Sequence, residues 1–338
     1  MKKGVKMMKK KGIGIFVCLM LLISVFPLAA PAAKKAQDRG SQQPLTTTSQ
    51  EDVPIWEIGD QWIYQIDDVN VYFNSTAGII DAHLIMDELP LQVSTLNETT
   101  YTLDFETTIS GSAQTDMNFG DGPVNVTITF SNLQLSGDMV FEKSTLGIKT
   151  LNGAFTGRFW VKINQQPYLP LPWLPTLPVK LAVSNFVSDF STAVTPLMFP
   201  LNESMFWNFT STNLSLNGEV RSPWFSIILL INTFYPILSE EIAALLPIVN
   251  IQEAFATIGI PTPIQIPMIE GAFYCLNTEP VTVPAGTFTA YNITILDGMA
   301  SCFYAPDAGN IIKLTGNIQQ IIPFITNINL ELKSTTYS

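Results

Sequence analysis

His83, in "DAHLIMD", is the only imidazole in the chain available for acid–base or metal chemistry. A catalytic triad would need it beside an activated nucleophile and a carboxylate. No GxSxG, HExxH or glycine-rich phosphate loop accompanies it. His83 therefore reads as a surface or turn residue. Carboxylates pair at Asp67-Asp68, Asp104/Glu106 and Glu240-Glu241. Two acids can hydrolyse a glycoside without being close in sequence, but Asp104 and Glu106 share the polar face of a strand and read as solvated charge. "DMNFGDG", Asp116–Gly122, offers oxygen ligands in a turn, with a spacing that departs from the EF-hand loop. It reads as a plain turn. No catalytic residue, cofactor or metal ligand is assigned.

Charge and targeting narrow the classes further. Residues 1–11 carry six lysines and no acid, and an uncharged run follows to Ala33. A basic segment, an apolar core and the small-residue exit "AAPAA" predict a secretory signal over residues 1–32, cleaved near Ala32. The alternative is an uncleaved membrane tether, since the run is long enough to span a bilayer. Taking those six lysines from 17 basic residues leaves 11 against 28 acids. So acidic a chain excludes nucleic acid as a partner, because that binding needs clustered Lys and Arg. Charged residues make up only 13% of the chain. Ser, Thr and Asn supply much of the remaining polarity, which suits glycosylation, and the acidic balance and leader together predict a secreted or extracytoplasmic surface protein.

Cys275 and Cys302 would remain after cleavage, in "FYCLN" and "SCFYA". Export permits a disulfide between them. Bridging requires Cα atoms within about 7 Å, so a bridge and two buried thiols both stay open.

Glycosylation sequons occur at Asn74, Asn97, Asn125, Asn202, Asn208, Asn213 and Asn292. A strand sends alternate side chains to opposite faces. Asn125 opposes the row Val124, Val126, Ile128 and Phe130; Asn292 opposes Tyr291, Ile293 and Ile295. Asn208 and Asn213 likewise oppose apolar neighbours, and Asn97 sits in a turn. All seven are candidate glycan sites, with Asn125 and Asn292 expected to face solvent.

The elements behind these residues are mostly strands. Residues 33–53 form a polar tether with little to bury, expected to be disordered. From "IWEIGDQWIYQID" to Asn164 the pattern is period two, with Trp62, Tyr64 and Ile66 on one face and Tyr101, Leu103, Phe105 and Ile109 on another strand's apolar face. No crossover helix intervenes, so the strands are expected to be antiparallel neighbours. The segment 165–271 differs. "PYLPLPWLPTLP" is proline-rich, Lys180–Leu197 is a candidate helix, and "FSIILLINTFYPIL" and "EEIAALLPIVN" look helical and nearly uncharged. Pro236 breaks the apolar run too short for a membrane span. Strand alternation returns and continues to the C-terminus. The expectation is a mainly β domain over 54–338: one curved antiparallel sheet, a half-barrel, around an apolar helical insert at 165–271, with helices mainly within Lys180–Gly259.

"VTVPAGTFTAYNITI" is the clearest hairpin. Pro284 suits the first corner of a turn and Gly286 supplies a permissive backbone. Val283 to Phe288, Tyr304-Ala305-Pro306, Gly309 and Lys313 together resemble exported lipoprotein carriers of the LolA/LolB kind. "IGDQWIYQI" resembles their opening strand. The resemblance covers about 60 residues and leaves the middle of the chain out. It implies a half-barrel whose concave face holds a lipid.

The functional expectation is an exported, non-enzymatic binding protein for a hydrophobic small molecule or lipid at the cell envelope, with other envelope proteins as further candidate partners. Phe288, Tyr291, Ile293 and Phe303 are expected to line the ligand face against Phe225, Ile228, Leu229 and Phe234 of the insert. The alternatives are a structural cell-surface glycoprotein with a filled core, and an extracytoplasmic hydrolase.

Overall fold

The structure is a computed structural model and describes residues 53–75, 78–118, 123–163, 177–195, 197–222, 248–253, 262–321 and 325–337. Its strands are β1 Gln61–Ser75, β2 Gly78–Leu96, β3 Thr100–Asn118, β4 Pro123–Glu142, β5 Ile148–Ile163, β6 Leu177–Val194, β7 Phe206–Phe209 and β8 Thr212–Arg221. They continue with β9 Ile248–Asn250, β10 Ile264–Ile266, β11 Ile269–Val283, β12 Gly286–Ile295, β13 Ala300–Ala305, β14 Asn310–Gly316 and β15 Ile325–Thr335. All belong to a single antiparallel sheet in the order β10-β8-β6-β5-β4-β3-β2-β1-β15-β14-β13-β12-β11-β7, with β9 paired to β8. The expected sheet holding both Trp62–Ile66 and Tyr291–Ile295 is present.

Alternation places the core. Trp62, Tyr64 and Ile66 of β1 are buried, as are Tyr101, Leu103, Phe105 and Ile109 of β3. Asp67, Asp104 and Glu106 on the opposite phase are exposed. Pro90 interrupts the β2–β3 ladder, whose register jumps between Ile85 and Gln92, because proline has no amide to donate. The hydroxyl of Thr107 donates to the carbonyl of Glu88 there. Buried side chains from Trp56 to Leu332 form one contiguous apolar cluster.

The expected helix over Lys180–Leu197 is strand β6. Its buried apolar side chains are Val183, Phe186, Phe190 and Val194, whose spacing of three and four mimics a helix. The cause is a bulge. Asn185 sits at φ 53, and the register with β5 and β8 shifts around it. The extra residue switches the inward row from Val183 to Phe186, Ser188 and Phe190. More of the expected helical insert is sheet. Residues 165–271 supply β6 to β10 and the start of β11, and "EEIAALLPIVN" ends in β9. Residues 251–253 are helical, with the Asn250 side chain accepting from the Gln252 amide at 2.9 Å. "FSIILLINTFYPIL" lies outside the described residues.

The sheet is open, and it curves strongly. The turn between β11 and β12 is Pro284-Ala285, closed by the Val283–Gly286 pair with Gly286 at φ 139, a conformation that favours glycine. At its tip the Ala285 amide donates to the Leu332 carbonyl on β15 at 3.0 Å, although β13 and β14 stand between β12 and β15 in the sheet order. The two ends of the sheet also meet through the chain. Only Thr210 and Ser211 separate β7 from β8, and only Pro267 and Met268 separate β10 from β11. Their ladders share one register: Ile266 faces Thr212 and Ile269 faces Phe209. Among the described residues no helix is long and apolar enough to cross a membrane. Residues 1–52, with the expected signal and most of the tether, lie outside the described residues.

Candidate functional site: an apolar pocket under Trp56

Trp56 precedes β1 and is locked from several sides. Its backbone amide donates to the Tyr101 hydroxyl at 3.2 Å, and its indole Nε1 donates to the Gly309 carbonyl at 2.9 Å. The ring packs against Trp62, Tyr101 and Phe141, with centroids 4.9, 5.1 and 5.4 Å away. Trp62 Nε1 donates to the Ala308 carbonyl at 2.6 Å, and the Tyr64 hydroxyl donates to the Ile311 carbonyl at 2.8 Å. Three aromatic residues at the start of the domain therefore hold the β13–β14 corner. Burial raises the Tyr64 phenol far above its usual range, with the nearby Cys302 thiol adding to the shift, so it remains a hydrogen-bond donor.

Beneath Trp56 lies an apolar pocket of about 110 Å³. One wall comes from Tyr64 on β1, Leu314 on β14 and Leu330 on β15; the facing wall comes from Met139 and Phe141 on β4 and Ile148 on β5. Strands far apart in the sheet order thus face each other across it. Leu89 and Met139 also line a smaller void of about 20 Å³ bounded by Phe105, Leu135 and Phe186. These two side chains stand between the two spaces. Met139 is unbranched and adapts its shape readily.

Leu146 closes the pocket from the β4–β5 turn. It adopts φ 53, unusual for a branched side chain. The turn holds it there: the Leu146 amide donates to the Glu142 carbonyl at 2.8 Å, and the Glu142 amide donates to the Gly147 carbonyl at 2.8 Å. Leu197, which follows β6, also lines the pocket.

On its other side Leu197 lines a cleft of about 540 Å³. Among the described residues six hydroxyl side chains line that cleft: Ser144 and Thr145 from the β4–β5 turn, Ser191 and Thr192 from the end of β6, Thr195 just after it, and Thr210 from the β7–β8 corner. Glu142 and Lys149 supply one charge of each sign, and Phe190 and Phe199 add aromatic surface. Compared with protein-family models, curated proteins and solved structures, the chain matches none.

The expected ligand-face residues do not line these pockets. Tyr291 and Ile293 are buried on the inner face, where they pair with Tyr304 and Cys302. Phe303 instead pairs with Asn292, so it shares the outer phase and is half-buried. Phe288 is half-buried too and packs against the core, as Phe303 does. Phe225, Ile228, Leu229 and Phe234 lie outside the described residues. The sequence reading missed Trp56, Leu89, Met139 and Leu197. Trp56 falls before the first strand, and Leu197 falls after a strand that resembled a helix.

The cysteine question has a geometric answer. Cys275 on β11 and Cys302 on β13 both pair with Ile293 of the intervening β12. Two strand spacings put them about 9–10 Å apart, beyond disulfide reach. Both are free and buried, which corrects the bridge considered from sequence. Burial pushes the Cys302 thiol up to about 12. Burial, and then the Glu203 carboxylate, push Cys275 up to about 11.

His83 meets Asp68, with Nε2 2.8 Å from Oδ1. The Asn327 amide donates to the other Asp68 oxygen at 2.8 Å. Ser112 is the ladder partner of His83 on β3. No hydrogen bond among the described residues joins the Ser112 hydroxyl to the imidazole. Asp104 is exposed and accepts from Ser94 at 2.8 Å. The described residues contain no cluster of three or more His, Cys, Asp or Glu able to hold a metal. Residues 119–122 of "DMNFGDG" and Glu240-Glu241 lie outside the described residues.

None of the seven sequon asparagines is buried. Asn74, Asn97 and Asn213 are exposed. Asn125 and Asn292 stand on the outer phase and are half-buried, their amide nitrogens donating to Asp116 and Glu279 at 2.8 Å each. Asn202 Nδ2 donates to the Pro200 carbonyl at 3.2 Å, and Asn208 Oδ1 accepts from the Gly271 amide at 2.8 Å.

Proposed function

We propose that this chain is an exported, non-enzymatic binding protein that holds a hydrophobic or lipid ligand in a half-barrel at the cell envelope. The observation that carries the reading is the pocket under Trp56, apolar on both walls, with Leu89 and Met139 lining both it and a second void. About 110 Å³ is room for roughly four water-sized units, and hence for a short alkyl segment. Each buried methylene contributes about 0.8 kcal/mol, so such a segment is worth about 3 kcal/mol. A longer chain fits if Met139 swings aside and joins the two spaces. The resemblance to LolA/LolB-like carriers supports the same reading. The leader-like N-terminus and the sequons favour a glycosylated protein outside the cytoplasm.

A structural surface glycoprotein is the second reading. It is favoured by the continuity of the core, a single apolar cluster from Trp56 to Leu332, which could be the interior's whole purpose. Native mass spectrometry of the purified protein, followed by organic extraction, separates the two. A carrier yields a co-purifying lipid or alkyl compound in stoichiometric amount. A scaffold yields the bare or glycosylated chain mass.

A further inference from the structure

The polar cleft and the apolar pocket are neighbours, with Leu197 lining both. Leu197 is 3% exposed, so it is a buried partition and not an open surface. Its setting is also tight. Gly147 has no Cβ, and one added there would stand 2.5 Å from the Thr195 methyl. The β4–β5 turn therefore presses directly on the end of β6. That contact fixes Ser144 and Thr145 opposite Ser191 and Thr192.

Hydroxyl groups both donate and accept, so those engaged within the protein keep capacity for a ligand. Ser191 Oγ, for example, accepts from the Asn213 amide at 2.9 Å and lies 3.4 Å from the Thr212 hydroxyl, which leaves it a second lone pair for a ligand. Among the described residues the cleft is lined by one cation and one anion, Lys149 and Glu142, with no surplus of positive charge. A phosphate or carboxylate would lack the cationic excess that usually pairs with it. A neutral head rich in hydroxyls matches the lining, and the Phe190 and Phe199 rings offer apolar faces for the C–H side of a sugar ring.

We propose that cleft and pocket form one amphiphile site divided at Leu197: the cleft takes a neutral, polyhydroxylated head such as a sugar, and the pocket takes the start of its alkyl chain. This rests on the hydrophobic-ligand reading above and adds the class of head. The partition sets the order of binding. The head docks first in the open cleft, and the chain enters as Leu197 rotates.

Titration calorimetry with an alkyl series tests it, using octyl glucoside below its micellar concentration, octanol, octanoate and free glucose. Octyl glucoside is expected to bind about tenfold tighter than octanol, the scale of one or two net hydrogen bonds. Octanoate is expected to bind no better than octanol, and glucose only weakly. Ser144 and Thr192 are exposed, so the double variant Ser144→Ala/Thr192→Val should fold normally. It is expected to bring the glucoside down to the octanol affinity and leave octanol unchanged. Equal affinity for glucoside and octanol in the wild type overturns the head subsite while leaving the pocket reading intact. Preference for octanoate overturns the neutral head. Binding of no member of the series overturns both readings.

Discussion

Cys275 and Cys302 face the same residue, Ile293, from opposite sides, one strand away in each direction. The pair is close in the sheet and still too far apart to bridge. Both thiols are expected to stay reduced and unreactive in the folded protein. A thiol reagent should modify neither under native conditions and both after denaturation, read by intact mass. Modification of the native protein, or an intact disulfide, would show that the β11–β12–β13 register is wrong.

Those thiols also set an alkaline limit. Their folded pKa values lie above the ordinary thiol value, at about 11 and about 12. A raised value means that the folded state retains the proton longer than the unfolded state. The stabilisation is therefore complete below the unfolded value, near 9, and is lost as pH rises through the folded values. Stability is expected to fall from pH 9 upward, with Cys302 contributing up to about 1.4 kcal/mol per pH unit. Denaturation at successive pH values checks this, and Cys302→Ala should flatten the alkaline slope.

Trp56 ties the domain's entrance to the β13–β14 corner. Removing the indole deletes the bond to the Gly309 carbonyl and opens the pocket. Trp56→Phe is expected to cost about 1–2 kcal/mol through that lost bond, and Trp56→Ala about 3–5 kcal/mol through the cavity it leaves. Urea denaturation provides both values. An unaffected midpoint in Trp56→Ala would mean that the entrance packing carries no weight.

The sheet was largely legible because alternation is a strong signal where it persists. Trp62-Tyr64-Ile66 and Tyr101-Leu103-Phe105 needed no correction. It failed where single residues shift the phase. Asn185 in β6 and Asn132 in β4, at φ 53 and φ 55, each move the inward row by one. Around Asn132 the row passes from Val126, Ile128 and Phe130 to Leu133 and Leu135. In β6 the result imitated a helix. Phe303 pairs with Asn292, on the phase opposite Cys302 and Tyr304, and packs half-buried against the core. The pocket was not legible at all. It arises from curvature that brings β4 and β5 opposite β14 and β15, and no local pattern encodes that approach.

The bulge itself is testable. Asn185 occupies a left-handed conformation that a β-branched side chain resists. Asn185→Val is expected to lower stability by about 1–3 kcal/mol, while Asn185→Gly should be close to neutral. Thermal unfolding of the two variants gives the comparison. Equal melting temperatures would remove the bulge as the explanation of the phase change.

Glycan occupancy should follow the freedom of each side chain. Asn74, Asn97 and Asn213 are exposed, whereas Asn125 and Asn292 hold carboxylates with the nitrogen that would carry the sugar. Expressed in a glycosylating host, the protein is expected to be modified first at Asn74, Asn97 and Asn213. Glycopeptide mass spectrometry measures this directly. Higher occupancy at Asn292 than at Asn213 would contradict the ranking.

The central claim is that an alkyl chain enters the space beneath Trp56. Its most direct test is a crystal structure with a terminally brominated alkyl glucoside, located by the anomalous signal of the bromine. The account expects the bromine beside Leu89 and Met139, with Leu197 turned away from its present partition. A bromine found only on the outer surface, with the pocket under Trp56 unchanged, would contradict it.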